Sequence, residues 1–257
     1  MRHIITISKI AIKESLRDKI FWGLLIFLGL FLVFSVYISS LSLDTVARYI
    51  INFGMLGISI ICLTVSILFG MYSLYREKER NELYVILNRI PRPAYILGRF
   101  LGTSYIIIIF SAIAGASIFV LSWIFGHRIA PELFWASYWA VLEFTMLTGV
   151  GMVFYAMGVS FTLNSLMLLA VYLVGHSMTE AIQSFIGLGQ LGSKTHLALV
   201  KFLANILPNF DMFDFRLAIV HGEPLPAGHV LLVTFYWFCY LAALLLISSA
   251  LLKKQDV

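Results

Sequence analysis

Three titratable side chains lie inside long apolar runs of this sequence, where a charge is costly. Glu143 is near the middle of one run, and His176 and Glu180 lie four residues apart in the next. An ionisable residue at such a depth in a membrane segment is a functional candidate. If the two runs form antiparallel helices that turn between residues 159 and 160, Glu143 and His176 share a depth. We predict that these two hydrogen-bond, either along a substrate path or as a polar clamp between helices.

Motifs for catalysis and nucleotide binding are missing from the sequence. The string "GLGQLGSKT" nearly matches the phosphate-binding pattern G-x-x-x-x-G-K-[ST], but Ser193 separates Gly192 from Lys194 and no strand precedes it. The patterns H-E-x-x-H, G-x-S-x-G and C-x-x-C do not occur. We therefore predict no catalytic residue and no ATP hydrolysis by this chain.

Histidines and cysteines give no stronger sign of a metal. His221, Glu223 and His229 form the nearest cluster, but their spacing is irregular, so we predict no metal site. Cys62 and Cys239 lie far apart inside apolar runs, where cysteine is commonly a small hydrophobic residue.

The elements that position these residues are predicted to be membrane-spanning helices. The chain is 61% hydrophobic and 12% charged, about half the charged share of a soluble domain. Six runs reach the roughly 20 residues that a helix needs to cross a bilayer: 20–40, 50–74, 104–125, 133–157, 161–186 and 230–252. We predict an all-α integral membrane protein with a single membrane domain over residues 1–257.

Basic residues predict the orientation of these spans. Thirteen lysines and arginines fall in the N-terminal segment, residues 76–99 and the C-terminus, against five on the other side. By the positive-inside rule, both termini and residues 76–99 are cytoplasmic, as in a multi-pass protein of the cytoplasmic membrane.

Small residues recur four apart along the third span and predict close helix packing, within the chain or across a homodimer. The pairs are Gly98/Gly102, Ser111/Gly115 and Ala112/Ala116.

The N-terminal segment, residues 1–19, carries a basic stripe. Lys9, Lys13 and Arg17 recur every four residues, which predicts a helix on the cytoplasmic surface, held partly by anionic lipid. The alternative is a basic flank that only sets the topology.

The external segment, residues 187–228, is too long for a turn and too apolar for a disordered loop. Apolar residues recur at helical spacing between Leu197 and Leu207. They predict a short interfacial or re-entrant helix that ends before Pro208.

Residues 75–99, "YREKERNELYVILNRIPRPAYILGR", are the most polar stretch. Apolar residues there recur on one helix face: Leu83, Ile86, Leu87 and Ile90. We predict a solvated, charged turn, then a short cytoplasmic helix that Pro91 and Pro93 terminate. Its apolar face needs a cover, and a partner protein is a better candidate than the N-terminal helix.

A charged cluster, a leucine-rich turn and "NRIPRPAYILGRFLG" at the third of six spans resemble the permease subunits of type 2 ABC transporters. The N-terminal "ISKIAIKESLRDKIFW" is similar to the elbow helix of that family, and "LPNFDMFDFR" resembles an element before its last span. The resemblance covers essentially the whole chain. It implies an exporting permease that works as a homodimer with two copies of a separate ATPase. That ATPase binds ATP and Mg²⁺, and this chain binds no cofactor.

The resemblance also implies site residues. The coupling interface with the ATPase would comprise Glu77, Glu79, Arg80, Glu82, Leu83, Leu87, Arg89, Pro91, Arg92, Pro93 and Arg99. An external gate would comprise Pro208, Asn209, Phe210, Asp211, Asp214 and Arg216. Apart from the resemblance, depth in the apolar runs makes three intramembrane residues candidates for the translocation path: Glu143, His176 and Glu180.

Other functions stay open. Residues 75–99 could be a loop that only sets topology. The chain could also be a proton-coupled secondary transporter or channel, or a membrane assembly scaffold without an ATPase.

Overall fold

A computed structural model describes residues 2–41, 46–187, 207–221 and 227–254, and every regular element in those ranges is helical. The elements are α1 (Arg2–Arg17), α2 (Lys19–Ser40), α3 (Val46–Val65), a π-helix (Ser66–Tyr72), α4 (Ser73–Glu79), α5 (Glu82–Leu87), α6 (Arg92–Gly126), α7 (Leu133–Ala156), α8 (Phe161–Gly187), a 3₁₀ helix (Phe210–Phe213), α9 (Arg216–His221) and α10 (Ala227–Lys254).

Five helices in the described part are long and apolar enough to cross a membrane. They are α2, the continuous helix Val46–Glu79, α6, α7 and α10. The predicted span 161–186 coincides with α8, whose described apolar stretch is Phe161–Ser177. The chain is therefore an all-helical membrane protein with several spans.

The second spanning helix runs further than the sequence predicted. The helix Val46–Glu79 is continuous through its π-helical segment and extends beyond the predicted end at residue 74. A chain reversal at Asn81, with a φ of 58°, then leads into α5. We call the end of the bundle that carries α5 the α5 end. The opposite end, which carries α9, is the α9 end.

The prolines near residue 92 begin a helix instead of ending one. The short helix α5 ends at Leu87, and Pro91 adopts an extended conformation as the N-cap of α6. Pro93 lies in the first turn of α6, where proline is tolerated because its missing N–H would be unpaired in any case. The prediction that both prolines terminate the preceding helix was wrong for Pro93.

The turn between α7 and α8 confirms the predicted break. Gly158 has a φ of 82°, a left-handed conformation that glycine adopts without strain. The hydroxyl of Tyr75 donates to the carbonyl of Val159 at 2.7 Å. The side-chain amide of Asn164 donates to the Tyr75 hydroxyl at 3.0 Å and to the carbonyl of Gly151 at 3.1 Å. These buried bonds fix α7 and α8 as an antiparallel pair.

Helix α1 packs on α6 through two glycines. A Cβ at Gly98 would lie 2.7 Å from Cβ of Ile7, and one at Gly102 would lie 2.6 Å from Cβ of Ala11. Further along α6, the hydroxyls of Ser111 and Ser137 each donate to the other residue's carbonyl, at 2.9 and 3.1 Å. Small residues on α6 therefore bring α1 and α7 close within one chain.

The remaining small pair and the basic stripe face outward. Ala112 and Ala116 are exposed, so they do not serve packing inside the described chain. Lys9, Lys13 and Arg17 are likewise exposed, while the opposite face of α1 is buried. The stripe is therefore placed as an interfacial helix requires.

The predicted re-entrant helix between residues 197 and 207 falls almost wholly outside the described residues.

Candidate functional site

A cavity of about 300 Å³ lies between α3, α7, α8 and the start of α9. Its charged or titratable wall comprises Glu143, His176, Asp214 and Arg216. Its aromatic wall comprises Trp139, Tyr172, Phe213 and Phe215. One pocket thus brings together the predicted pair, Glu143 and His176, with residues of the predicted gate. Asp214 and Arg216 line it, and Asp211 adjoins it.

The predicted pairing of Glu143 and His176 is confirmed. Nε2 of His176 and Oε1 of Glu143 are 2.8 Å apart. Glu143 is buried near the middle of α7, and His176 is partly exposed on α8. A carboxyl group in so apolar a bundle needs a polar partner, and the imidazole provides it.

A second carboxylate on the same imidazole was not predicted. Nδ1 of His176 lies 3.9 Å from Oδ1 of Asp211, so the ring lies between two acids. The 3₁₀ helix carries Asp211, and the backbone N–H of Asp211 donates to the side-chain oxygen of Asn209 at 3.1 Å. The "NFD" string signalled this cap, but nothing in the sequence indicated its distance from His176.

Packing of residues 208–210 against α8 and α10 brings Asp211 to that position. A Cβ at Gly175 would lie 2.9 Å from the carbonyl oxygen of Pro208, so only glycine allows so close an approach. Phe210 is fully buried, and its ring lies 5.8 Å from the His176 ring. The backbone N–H of Asn209 donates to the hydroxyl of Tyr236 at 3.1 Å. Pro208, Asn209 and Phe210 therefore serve as anchors of the segment.

Aromatic rings and one charged turn form the rest of the pocket. Trp139 stacks on Phe215 at 4.5 Å between centroids, and Tyr172 meets the His176 ring edge-on at 4.8 Å. The backbone N–H of Arg216 donates to the carboxylate of Asp214 at 3.0 Å. Glu180 lies on α8, but its side chain is outside the described part of the chain.

A second polar cluster lies at the α5 end and joins three helices. Its members, here called the lattice, are Glu14 of α1, Arg76 and Glu77 of α4, and Tyr95 and Arg99 of α6. Arg76 pairs with Glu14, and Arg99 pairs with Glu77. Arg99 also reaches Glu14 at 3.4 Å, and the Tyr95 hydroxyl donates to Glu77 at 2.5 Å. The lattice fastens α1, α4 and α6 together.

Three members of the predicted coupling interface are buried in this chain. Glu77 is 7% exposed, Arg99 is 3% exposed and Leu83 is 1% exposed, so none of the three is available to a partner. The charged turn before α5 is not wholly solvated as predicted, because the helix continues and its charges pair internally. Arg92 points to α10, and its guanidinium donates to the carbonyls of Leu252 and Lys253 at 2.7 and 2.6 Å.

The rest of the predicted interface is accessible in whole or in part. The exposed members are Glu79, Arg80, Glu82, Arg89, Pro91 and Pro93, and Leu87 is half-buried. Val85, which was not predicted, is 65% exposed on α5. The face of α5 that a partner could reach is therefore the polar face that carries Val85. The face that carries Leu83 is turned toward the rest of the chain.

Neither a protein-family model nor a curated protein matches this chain. The class of protein therefore rests on its fold and sites: an all-helical, multi-pass membrane protein with a polar pocket inside the bundle.

Proposed function

We propose that this chain is the permease subunit of an ATP-driven transporter of the type 2 ABC kind. It crosses the cytoplasmic membrane six times, with both termini and α5 in the cytoplasm. Two copies work with two copies of a separate ATPase to export a substrate. The observation that carries the proposal is the exposed face of α5, whose two flanking helices are fastened by the buried ion pair between Glu77 and Arg99.

Such fastening is what a coupling element needs. A flexible loop would deform under an applied force without transmitting it. By contrast, α5 is joined to α4 and α6, and the ion pair between Glu77 and Arg99 holds these two helices together. The partners are buried, so solvent and salt screen them little. A push on α5 would therefore move both helices as one body.

The helix Val46–Glu79 extends from the lattice to the pocket. One part of it carries Glu77 of the lattice, and another carries Met55 and Ser59 of the cavity wall. The π-helical segment between them, Ser66–Tyr72, is a kind of irregularity that often marks functional sites. This helix provides a continuous route from α5 to the pocket.

Purification of the tagged chain from its native membranes in a mild detergent tests the proposal. We expect a nucleotide-hydrolysing subunit to co-purify, and Val85→Asp to release it because the change puts a charge on the outward face of α5. Leu217→Asp is the matched control, since Leu217 is 76% exposed at the α9 end. It should retain the partner.

Recovery of the folded chain without ATPase activity would contradict the proposal, as would equal retention of the partner by Val85→Asp and the wild type.

Proton-coupled transport without an ATPase is the second candidate. The observation that favours it is the line of Asp211, His176 and Glu143, because an imidazole between two carboxylates is suited to passing a proton. This candidate predicts transport by the isolated chain that Val85→Asp does not alter.

A further inference from the structure

The walls of the cavity combine acidic groups with aromatic side chains. Glu143 and Asp214 line it, and Asp211 lies behind the His176 ring. Among the described residues of the site, the groups that can carry positive charge are the guanidinium of Arg216 and the imidazole of His176. With all three acids ionised, the site retains a negative charge even if His176 is protonated.

The aromatic side chains offer a further feature that favours a cation. Rings of Trp139, Tyr172 and Phe215 line the pocket close to Glu143. These rings give the pocket apolar contact area beside a carboxylate, which suits a cation that carries alkyl groups.

We propose that this cavity binds a small organic cation, an alkylammonium with the positive charge directed to Glu143 and its apolar part against the aromatic rings. The inference rests on the proposed function in one respect, that the bound cation is cargo. The volume, about 300 Å³, is at the lower end for pockets that enclose a small ligand.

Other ligand classes fit the walls less well. An anion would meet the carboxylates of Glu143 and Asp214, and like charges in a low-dielectric site repel strongly. A neutral hydrocarbon would leave those carboxylates desolvated without compensation. For a metal ion, the described residues provide no group of three ligating side chains.

The test uses the purified full chain, without nucleotide or partner, and measures choline binding by isothermal titration calorimetry. The control ligand is 3,3-dimethylbutan-1-ol, which has nearly the shape of choline but no charge. We expect choline to bind at least about tenfold more tightly, a difference of about 1.4 kcal/mol.

Two variants remove negative charge from the walls. Glu143→Gln keeps a hydrogen-bonding group for His176. Asp214→Asn changes an exposed residue, so it still tests the proposal if Glu143→Gln does not fold. Each should weaken choline binding, Glu143→Gln by about tenfold or more. Glu79→Gln, an exposed acid at the α5 end, should leave binding unchanged.

Equal affinity for choline and its neutral analogue would overturn the proposal, as would unchanged choline binding in both cavity variants. Absence of choline binding up to about 100 mM, weaker than any affinity of use for transport, would overturn it too. None of these outcomes bears on whether an ATPase co-purifies, so failure of the ligand and failure of the transporter class are separable.

Discussion

Arg99 is the residue on which the lattice depends. It lies on α6, is almost fully buried, and reaches Glu77 of α4 and Glu14 of α1. Burying a guanidinium and a carboxylate costs solvation free energy that their pairing must repay. Removing one partner leaves the other charged, buried and unpaired, which costs more than the pair contributes.

For that reason we expect Arg99→Ala to lower the free energy of unfolding by about 3–5 kcal/mol. Arg99→Lys should recover only part of the loss, since an ammonium cannot reproduce the forked contacts of a guanidinium. Denaturant unfolding in detergent measures both changes. The exposed Arg89 provides the control, and Arg89→Ala should alter stability by no more than about 0.5 kcal/mol. Equal effects of the two alanine variants would show that the lattice does not stabilise the fold.

Residue-level prediction succeeded where chain geometry is simple. In two antiparallel helices joined by a tight turn at Gly158, residues equally far from the turn lie at the same depth. Glu143 and His176 are such residues, so their contact could be predicted from the sequence. The approach of Asp211 to His176 does not follow. It depends on the close packing of Pro208 on Gly175, a tertiary contact with no periodic signal in the sequence.

At the level of elements, two glycines of α6 allow α1 to pack closely against it. Backbone approaches this close leave no room for a methyl group, and extra atoms in packed regions cost about 1–3 kcal/mol. The exposed basic stripe of α1 keeps its orientation only while this packing holds. The α1–α6 contact is therefore both a packing contact and the support of the lattice through Glu14.

We expect Gly102→Ala to loosen α1, because the new Cβ would lie 2.6 Å from Cβ of Ala11. Thiol labelling of Ser15→Cys, a nearly isosteric change at a buried position on α1, measures the loosening as faster reaction. The parent for all these variants carries Cys239→Ala, which removes the exposed thiol. Gly29→Ala on α2 is the matched control, with nothing within 4 Å of its added Cβ. Its labelling rate should equal that of the parent. Slow labelling of the Gly102→Ala variant would mean that α1 is held by other contacts.

The helix α5 shows the limit of prediction for an element. Periodicity indicated a short helix with Leu83 on its apolar face, and both points hold. The cover for Leu83 was assigned to a partner, because the charged residues before it suggested a solvated turn. Those residues instead continue the preceding helix, and two of them are neutralised by distant partners, Arg76 by Glu14 and Glu77 by Arg99. Such neutralisation depends on distant parts of the chain, so a local pattern does not reveal it.

On the scale of the whole molecule, the two polar regions lie at opposite ends of the bundle. The lattice and α5 form one end, and the contact of Arg92 with the carbonyls of Leu252 and Lys253 places the end of α10 there as well. The other end carries α9, where Arg128 donates to the carbonyl of Val220 at 2.9 Å. Apolar runs predicted the spanning helices, and the polar pocket, which includes residues of α9, forms where they pack together.

The proposed orientation, with the α5 end in the cytoplasm, can be read by labelling single cysteines with a membrane-impermeant maleimide. Cys239→Ala removes the exposed thiol, and Cys62 is fully buried, so the background is silent. In that background we expect Arg89→Cys to react only in inside-out vesicles and Leu217→Cys only in right-side-out vesicles. The excess of basic residues at the α5 end is the physical reason. The reverse pattern would place the ATPase-facing surface outside the cell and refute an ATP-driven mechanism through α5. Labelling of both positions from one side would mean that the two ends do not lie on opposite faces of the membrane.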